Sequence, residues 1–359
     1  MSVSDWLSLA VGFALLSGGG SALVRGAASL ARRLGVSPLI IGVTLVSFLT
    51  SAPELAVSVV GAANGQDAIA AANVIGSNIF NVLFVLGLCA MLRPLVVAQE
   101  LVIRDVPIKI GVSVLLWLFA ANGNLSALEG LVFVACLALF AFDVVQTSRR
   151  ESAAIADEYE GGVPPASRSA LLDAGYIAAG LAMLVVGGDW LVASAISIAT
   201  AAGVDETTIG LTIVAAGTSM PEVATSLAAT LRGERDIAVG NVIGSSIFNV
   251  LGILGLAALV SDGGLTLNDA LVGFDLPLMV AVSVACLPLL GGDHRMPRSV
   301  GVLFLAYYAA YVAHLILSAR SHEGAFDWVM LELAGPLTVA GIVAYFYLRI
   351  RSRRGAETG

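Results

Sequence analysis

Residues 73–88 read NVIGSNIFNVLFVLGL and residues 241–256 read NVIGSSIFNVLGILGL, with thirteen of sixteen positions identical at a constant offset of 168. The same offset carries TSAPE at 50–54 onto TSMPE at 218–222, Gly42 onto Gly210, and Gly19-Gly20 onto Gly187-Gly188. The chain is therefore two copies of one unit. Each copy holds a Pro-Glu pair, Pro53-Glu54 and Pro221-Glu222, inside an apolar stretch. An ionisable side chain at membrane depth is costly to keep and marks an ion pathway more often than a packing site.

Composition sets the medium. Of 359 residues, 58% are hydrophobic and only 12% charged, against roughly 25% charged in soluble proteins. Mean hydropathy is +0.93. These values predict an all-α polytopic membrane protein, and the 39 glycines suit closely packed membrane helices. Cys89, Cys136 and Cys286 lie in apolar segments without metal-ligand spacing, so they read as packing residues with no disulfide implied. No basic patch coincides with a folded surface, which argues against a nucleic-acid partner. The first basic residue is Arg25, so the first apolar stretch reads as a retained helix and not a signal peptide.

Crossing about 30 Å of hydrocarbon takes about 20 residues in a helix. Spans are expected near 6–31, 38–63, 68–92, 106–121, 127–147, 171–201, 207–231, 236–260, 271–290, 299–319 and 326–348. The first five map onto the next five at the same offset, and the eleventh has no counterpart. With these spans, 17 of the 18 Lys and Arg fall on one side, including Arg93, Arg104, Lys109 and the RIRSRR cluster at 349–354. Only Arg320 falls opposite. The basic side is expected to be cytoplasmic, with the N-terminus outside and the C-terminus inside the cell membrane. Five is an odd number of crossings, so the second copy is expected to run upside down relative to the first. Inverted repeats of this kind are typical of secondary transporters, with binding at the midplane. The expected organisation is a first five-helix repeat (1–150), an acidic, Pro-containing cytoplasmic linker (151–170), a second inverted five-helix repeat (171–320), and an additional helix with a basic tail (321–359).

The repeated segments carry oxygen chemistry. Pro53 and Pro221 cannot donate a backbone hydrogen bond, so each helix should break mid-membrane and expose carbonyl oxygens. Thr50 and Ser51, with Thr218 and Ser219, place hydroxyls beside the breaks, and Glu54 and Glu222 follow on the same face. Ser77 and Asn81 are four apart, as are Ser245 and Asn249, and Gly76 and Gly244 permit close backbone approach. Carboxylate, hydroxyl and carbonyl oxygens converging on one point suit a hard cation such as Ca²⁺ or Na⁺. Asn73 and Asn241 lie nearer a helix end, where capping or interhelical roles stand level with ion binding. Asn78 ranks lower because its counterpart is Ser246. Asp143, Asp189 and Asp275 are weaker candidates, and His314 reads as a packing histidine.

These motifs resemble the calcium/cation antiporter superfamily, and within it the small prokaryotic sodium/calcium exchanger proteins. The family signatures GTSxPE and GNxxGSNxxN stand here as LTSAPE and ANVIGSN in the first copy, and as GTSMPE and GNVIGSS in the second. The resemblance covers about residues 10–320. It implies ten core helices, with the second, third, seventh and eighth holding the ions and the first and sixth sliding across them. Position by position, it implies that Glu54 and Glu222 centre a Ca²⁺ site shared with Na⁺. The carbonyls of Ser47 and Ala215, with Thr50, Ser51, Ser77, Thr218, Ser219 and Ser245, would complete it, and Asn81 and Asn249 would line it. Three features depart from the pattern: Leu49 replaces the first glycine of GTS, both 81 and 249 are Asn where many members carry one Asp, and an eleventh span is added.

The function implied is Na⁺-driven extrusion of Ca²⁺, with the two cations as substrates and no resident cofactor. Proton- or K⁺-coupled Ca²⁺ exchange through the same residues is the near alternative. An intramembrane enzyme acting on a lipid phosphate is the distant one. Such an enzyme needs Arg or His to hold phosphate, and neither occurs within the motifs.

Overall fold

The structure is a computed structural model that describes residues 3–34, 38–97, 99, 101–158, 169–201, 215–286 and 295–318. The expected span at 326–348 lies outside the described residues, as does most of the first half of the span at 207–231.

Helix α1 (Val3–Leu34) is followed by α2 (residues 38–50), whose middle, Gly42–Val46, is a π turn. After a break come α3 (Ala52–Ala63) and α4 (Asp67–Leu92), then α5 (Val106–Phe119) and α6 (Ala127–Glu158). The second half contains α7 (Ala170–Ala201), a single turn at Ala215–Thr218, α8 (Met220–Arg232), α9 (Arg235–Val260), α10 (Leu271–Ala285) and α11 (Arg298–Ser318). Among the described residues, five helices are long and apolar enough to cross a membrane by themselves, and the bent pair α2–α3 makes a sixth. At the short fourth span expected at 106–121 stands α5, a helix of 14 residues preceded by a π turn at Leu101–Asp105.

The layers follow from which faces are apolar. Helices α4 and α9 are the centre, with 78% and 83% of their most apolar windows buried, against 17% for α6. Leu128, Leu139 and Phe142 of α6 turn outward instead, as lipid-facing residues do. The long helices α1 and α7 pack along each other, and the apolar cluster around Leu23, Val24 and Leu184 extends to Ile41 of α2, Ala229 of α8 and Ile237 of α9. Glycines make that pairing close. A Cβ on Gly19 would come within 2.8 Å of the Gly180 carbonyl, and one on Gly180 within 2.6 Å of the Leu23 nitrogen. Small residues of this kind let membrane helices pack backbone to backbone. An ion pair, Arg33 Nε to Asp173 Oδ2 at 3.1 Å, joins the two helices near one end.

Four two-residue strands staple the halves together. Leu95–Val96 pairs antiparallel with Arg295–Met296, and Asn124–Leu125 with Leu265–Thr266. Beside the first staple, Arg93 reaches the Thr230 and Leu231 carbonyls at 3.5 Å, and Arg298 reaches the Leu92 carbonyl at 3.3 Å. Beside the second, Asp67 accepts from the Ser261 hydroxyl at 2.8 Å and the Thr266 N–H at 3.3 Å.

Two readings change. Lys109, counted among the basic residues of the cytoplasmic side, is 2% exposed, and its Nζ donates to Ser283 Oγ at 3.1 Å, between α5 and α10. Charge alone assigned it to water, whereas its flexible stem and a facing hydroxyl let the helix bury it. The acidic linker also starts later than expected, because α6 continues through Glu158. The sequence ESAAIADE is rich in strong helix formers, so the helix carries on past its apolar part.

Candidate cation site

The two Pro-Glu segments break their helices as proline chemistry requires. Helix α2 ends at Thr50, Ser51 takes φ −82° and ψ 9°, and α3 leaves at 54° to it. In the second copy Ser219 takes φ −89° and ψ 10° before α8. Pro53 and Pro221 sit at the first positions of the new helices, where a missing N–H costs nothing. Glu54 and Glu222 lie in the first turns of those helices, where the macrodipole favours a carboxylate.

Each glutamate is held by the other half. Ser219 Oγ donates to Glu54 Oε1 at 2.7 Å, and Ser51 Oγ donates to Glu222 Oε1 at 3.0 Å. Both glutamates are fully buried, and the serine that holds each one stands three residues before the other. Ser77 joins through Ser219 at 3.0 Å. Around this centre runs a second ring, also duplicated. Thr50 Oγ1 donates to Asn241 Oδ1 at 3.1 Å and Thr218 Oγ1 to Asn73 Oδ1 at 3.2 Å. Asn241 Nδ2 then donates to Ser226 Oγ and Asn73 Nδ2 to Ser58 Oγ, both at 3.0 Å. Apart from the Ser219–Ser77 contact, each of these bonds has a partner 168 residues away.

Asn73, Asn241, Ser58 and Ser226 therefore belong to the site's frame, beyond the capping or packing role read from sequence. The signal was available, since Ser58 and Ser226 share the offset and stand four residues after each glutamate.

Ser47 is tied into the frame through both its carbonyl and its hydroxyl. Its carbonyl already accepts from the Ser51 N–H at 3.0 Å and from Thr50 Oγ1 at 3.3 Å. Its hydroxyl bonds the Gly42 carbonyl at 2.7 Å and the Asn241 carbonyl at 3.1 Å. Ala215 opens the turn before Ser219. Gly244 does admit a close neighbour: a Cβ there would overlap the Val43 carbonyl and Ser47 Oγ. The residue matching Val43 for Gly76 is 211, outside the described residues.

The atoms left over are telling. Buried polar atoms in native proteins almost always have a hydrogen-bond partner. Here Glu54 Oε2, Glu222 Oε2, Asn81 Oδ1, Asn249 Oδ1 and Ser245 Oγ are all buried and unpartnered among the described residues. Asn81 and Asn249 each begin a π turn, Asn81–Leu86 and Asn249–Leu254, a distortion frequent at functional sites. The weaker acids are placed elsewhere. Asp143 and Asp189 are exposed, and Asp275 accepts from Tyr311 Oη at 2.8 Å. His314 packs with its ring centroid 4.2 Å from that of Phe274.

Fold and site together define the class, a multi-helix membrane protein with a buried carboxylate pair at its centre. The chain belongs to the sodium/calcium exchanger protein family, whose model matches residues 4–145 and 172–317, and the family is one of cation antiporters of that type. CaxA of Alkalimonas amylolytica is 38% identical over 306 residues, covering 84% of this chain and 95% of its own. The sodium/calcium exchanger MaX1 of Methanosarcina acetivorans is 30% identical over 354 residues, covering 88% and 99%. A solved structure of the sodium-calcium exchanger NCX_Mj, soaked with Na⁺ and Ca²⁺, superposes with a TM-score of 0.73 at 27% identity over 90% of this chain and 100% of that one.

Proposed function

We propose that the chain exchanges Na⁺ for Ca²⁺ by alternating access and extrudes Ca²⁺ from the cytoplasm. The observation that carries this reading is the buried pair Glu54 and Glu222, each held by a serine of the other half and each keeping one carboxylate oxygen unpartnered among the described residues. Two carboxylates, two amide oxygens and a hydroxyl are all hard donors, the chemistry that Ca²⁺ and Na⁺ share. Two buried like charges without a counter-ion are costly, so one Ca²⁺ or two Na⁺ would neutralise the pair and compete for the same oxygens. Ser51, Ser219 and Ser77 would orient the carboxylates, and Thr50 and Thr218 would tie the helix breaks to Asn241 and Asn73. The frame holds no Arg, Lys or His, so it lacks the groups that would grip a phosphate.

Inverted repeats, at about 1–150 and 171–320, are supported by the exchange of staples. The first-half strand at 95–96 pairs with 295–296, and the second-half strand at 265–266 pairs with 124–125, as a two-fold axis in the membrane plane would require. The basic end, with Arg93, Arg295 and Arg298, is the expected cytoplasmic side, opposite the end that carries Asp67 and Asp262. Helices α1 and α7, paired through their own glycine-lined interface, would form the body that slides across the rest.

Proton-coupled Ca²⁺ exchange is the second reading. It is favoured by Asn at both 81 and 249, which leaves the site two carboxylates and no third to balance additional Na⁺. Proteoliposomes loaded with radiolabelled Ca²⁺, with Na⁺, K⁺ and H⁺ gradients imposed one at a time, separate these readings. Release driven by the Na⁺ gradient alone is the expected result. Release driven only by a pH or K⁺ gradient would transfer the coupling to that ion.

A further inference from the structure

The two lining asparagines are not equivalent, and we infer that Asn78 makes them so by fixing the amide of Asn249 with its oxygen toward the cation. The inference rests on the proposal that the Glu54–Glu222 centre holds a cation, and it adds a residue that determines how well the site holds it.

The orientation follows from what each atom can do. A backbone carbonyl only accepts hydrogen bonds, so the end of Asn78 lying 3.2 Å from the Ser246 carbonyl must be its nitrogen. The same nitrogen lies 3.7 Å from Met279 Sδ, another acceptor. The oxygen of Asn78 therefore faces the other way, where it accepts from Asn249 Nδ2 at 3.1 Å. Asn249 must then turn its own oxygen away from Asn78, and that oxygen is buried and unpartnered among the described residues. Asn78 and Asn249 are 2% and 0% exposed, so water does not compete for the bonds. The chain of donors and acceptors allows one assignment of both amides.

The first copy lacks this device. The counterpart of Asn78 is Ser246, whose hydroxyl is spent on the Val242 carbonyl of its own helix at 2.8 Å. The counterpart of Met279 is Gly111. Asn81, which matches Asn249, has neither end of its amide partnered among the described residues. A neutral amide bound this way is pre-organised as an oxygen ligand, while a free one must be ordered when the cation arrives. Asn249 is the standing amide ligand and Asn81 the one that turns. Asn78 is a positioning residue and touches no cation itself.

The test is a double-mutant cycle on purified full-length protein, with Ca²⁺ affinity from equilibrium binding and KM and kcat from proteoliposome flux. Asn78→Ser, the residue the second copy carries, is expected to weaken Ca²⁺ binding and raise KM about fivefold while kcat stays within twofold. In Asn249→Asp the ligand has oxygen at both ends, so orientation no longer matters. Adding Asn78→Ser to that variant should change affinity less than twofold. An undiminished fivefold loss in that background, or wild-type affinity in Asn78→Ser alone, would overturn the inference. Thermal unfolding of all four proteins identifies general loosening, which would lower Asn78→Ser in both backgrounds and also count against it. Wild-type protein that binds no Ca²⁺ would reject the parent proposal instead.

Discussion

At Glu54 and Glu222 the two halves of the molecule do the same thing; at Asn81 and Asn249 they do not. Each glutamate is gripped by a serine of the opposite half, at 2.7 and 3.0 Å, and each threonine beside a helix break bonds an asparagine of the opposite half. Eight residues beyond Asn73 and Asn241 on the central helices, Asn249 is held by Asn78 while Asn81 is held by nothing described. The charged centre keeps the symmetry of the duplication and the neutral lining has lost it. Under the exchange proposed above, the neutralising groups would have to serve both faces of the membrane alike, whereas ligands that refine affinity would be free to differ.

The harshest way to break the comparison is at the acids. Glu54→Gln and Glu222→Gln should each cut Ca²⁺ flux more than a hundredfold, because removing one member of a buried charged set costs roughly 3–5 kcal/mol. Equivalence of the halves requires losses of similar size. If either variant kept substantial Na⁺-driven Ca²⁺ transport in vesicles, the shared-carboxylate site would have to be abandoned.

The serines sharpen the comparison, because their equivalence is incomplete. Among the described residues Ser51 Oγ meets Glu222 Oε1 alone, at 3.0 Å, while Ser219 Oγ bridges Glu54 Oε1 at 2.7 Å and Ser77 Oγ at 3.0 Å. A hydrogen bond to a charged group is worth roughly 1.5–3 kcal/mol. We expect Ser219→Ala to weaken Ca²⁺ binding about thirtyfold and Ser51→Ala about tenfold. The reverse order in a calorimetric titration would show that the bridge to Ser77 contributes nothing.

The symmetric part of the site was legible in the sequence, and the asymmetric part was not. A repeated TSxPE and a repeated Ser-Asn spacing identify Glu54, Glu222, Ser77 and Asn81 with their counterparts, because two copies of an improbable feature reinforce each other. Proline chemistry places the helix break. The same logic demoted Asn78, since its counterpart is serine, yet Asn78 is where the halves meet through Ser246 and Asn249. Ser58 and Ser226 were repeated but unremarkable in type, and only the fold brings them to Asn73 and Asn241. Lys109 failed for another reason: hydropathy and side-bias rules read a lysine as water-exposed, and the hydroxyl that receives it, Ser283, lies 174 residues away.

Packing gives a smaller effect. Gly244 lets α9 approach α2 so closely that a Cβ would overlap the Val43 carbonyl and Ser47 Oγ. Gly244→Ala should lower stability by about 2 kcal/mol, in line with overpacking elsewhere, read as a drop in unfolding temperature in detergent. A matching drop from Gly76→Ala would extend the equivalence of the halves from the acids to the backbone contacts.

The mildest test separates the lining residues themselves. Asn249→Ala removes an oriented oxygen and leaves the carbonyl end of Asn78 without its donor, so two costs add. Asn81→Ala removes an amide that was unbonded at both ends, and ordering that side chain on cation arrival already offset part of its benefit. We expect about a tenfold rise in Ca²⁺ KM for Asn249→Ala and two- to threefold for Asn81→Ala, as one neutral hydrogen bond more or less would give. Equal effects would mean that both amides reach the cation in the same way, and the difference between the halves would end at the hydrogen bonds without touching transport.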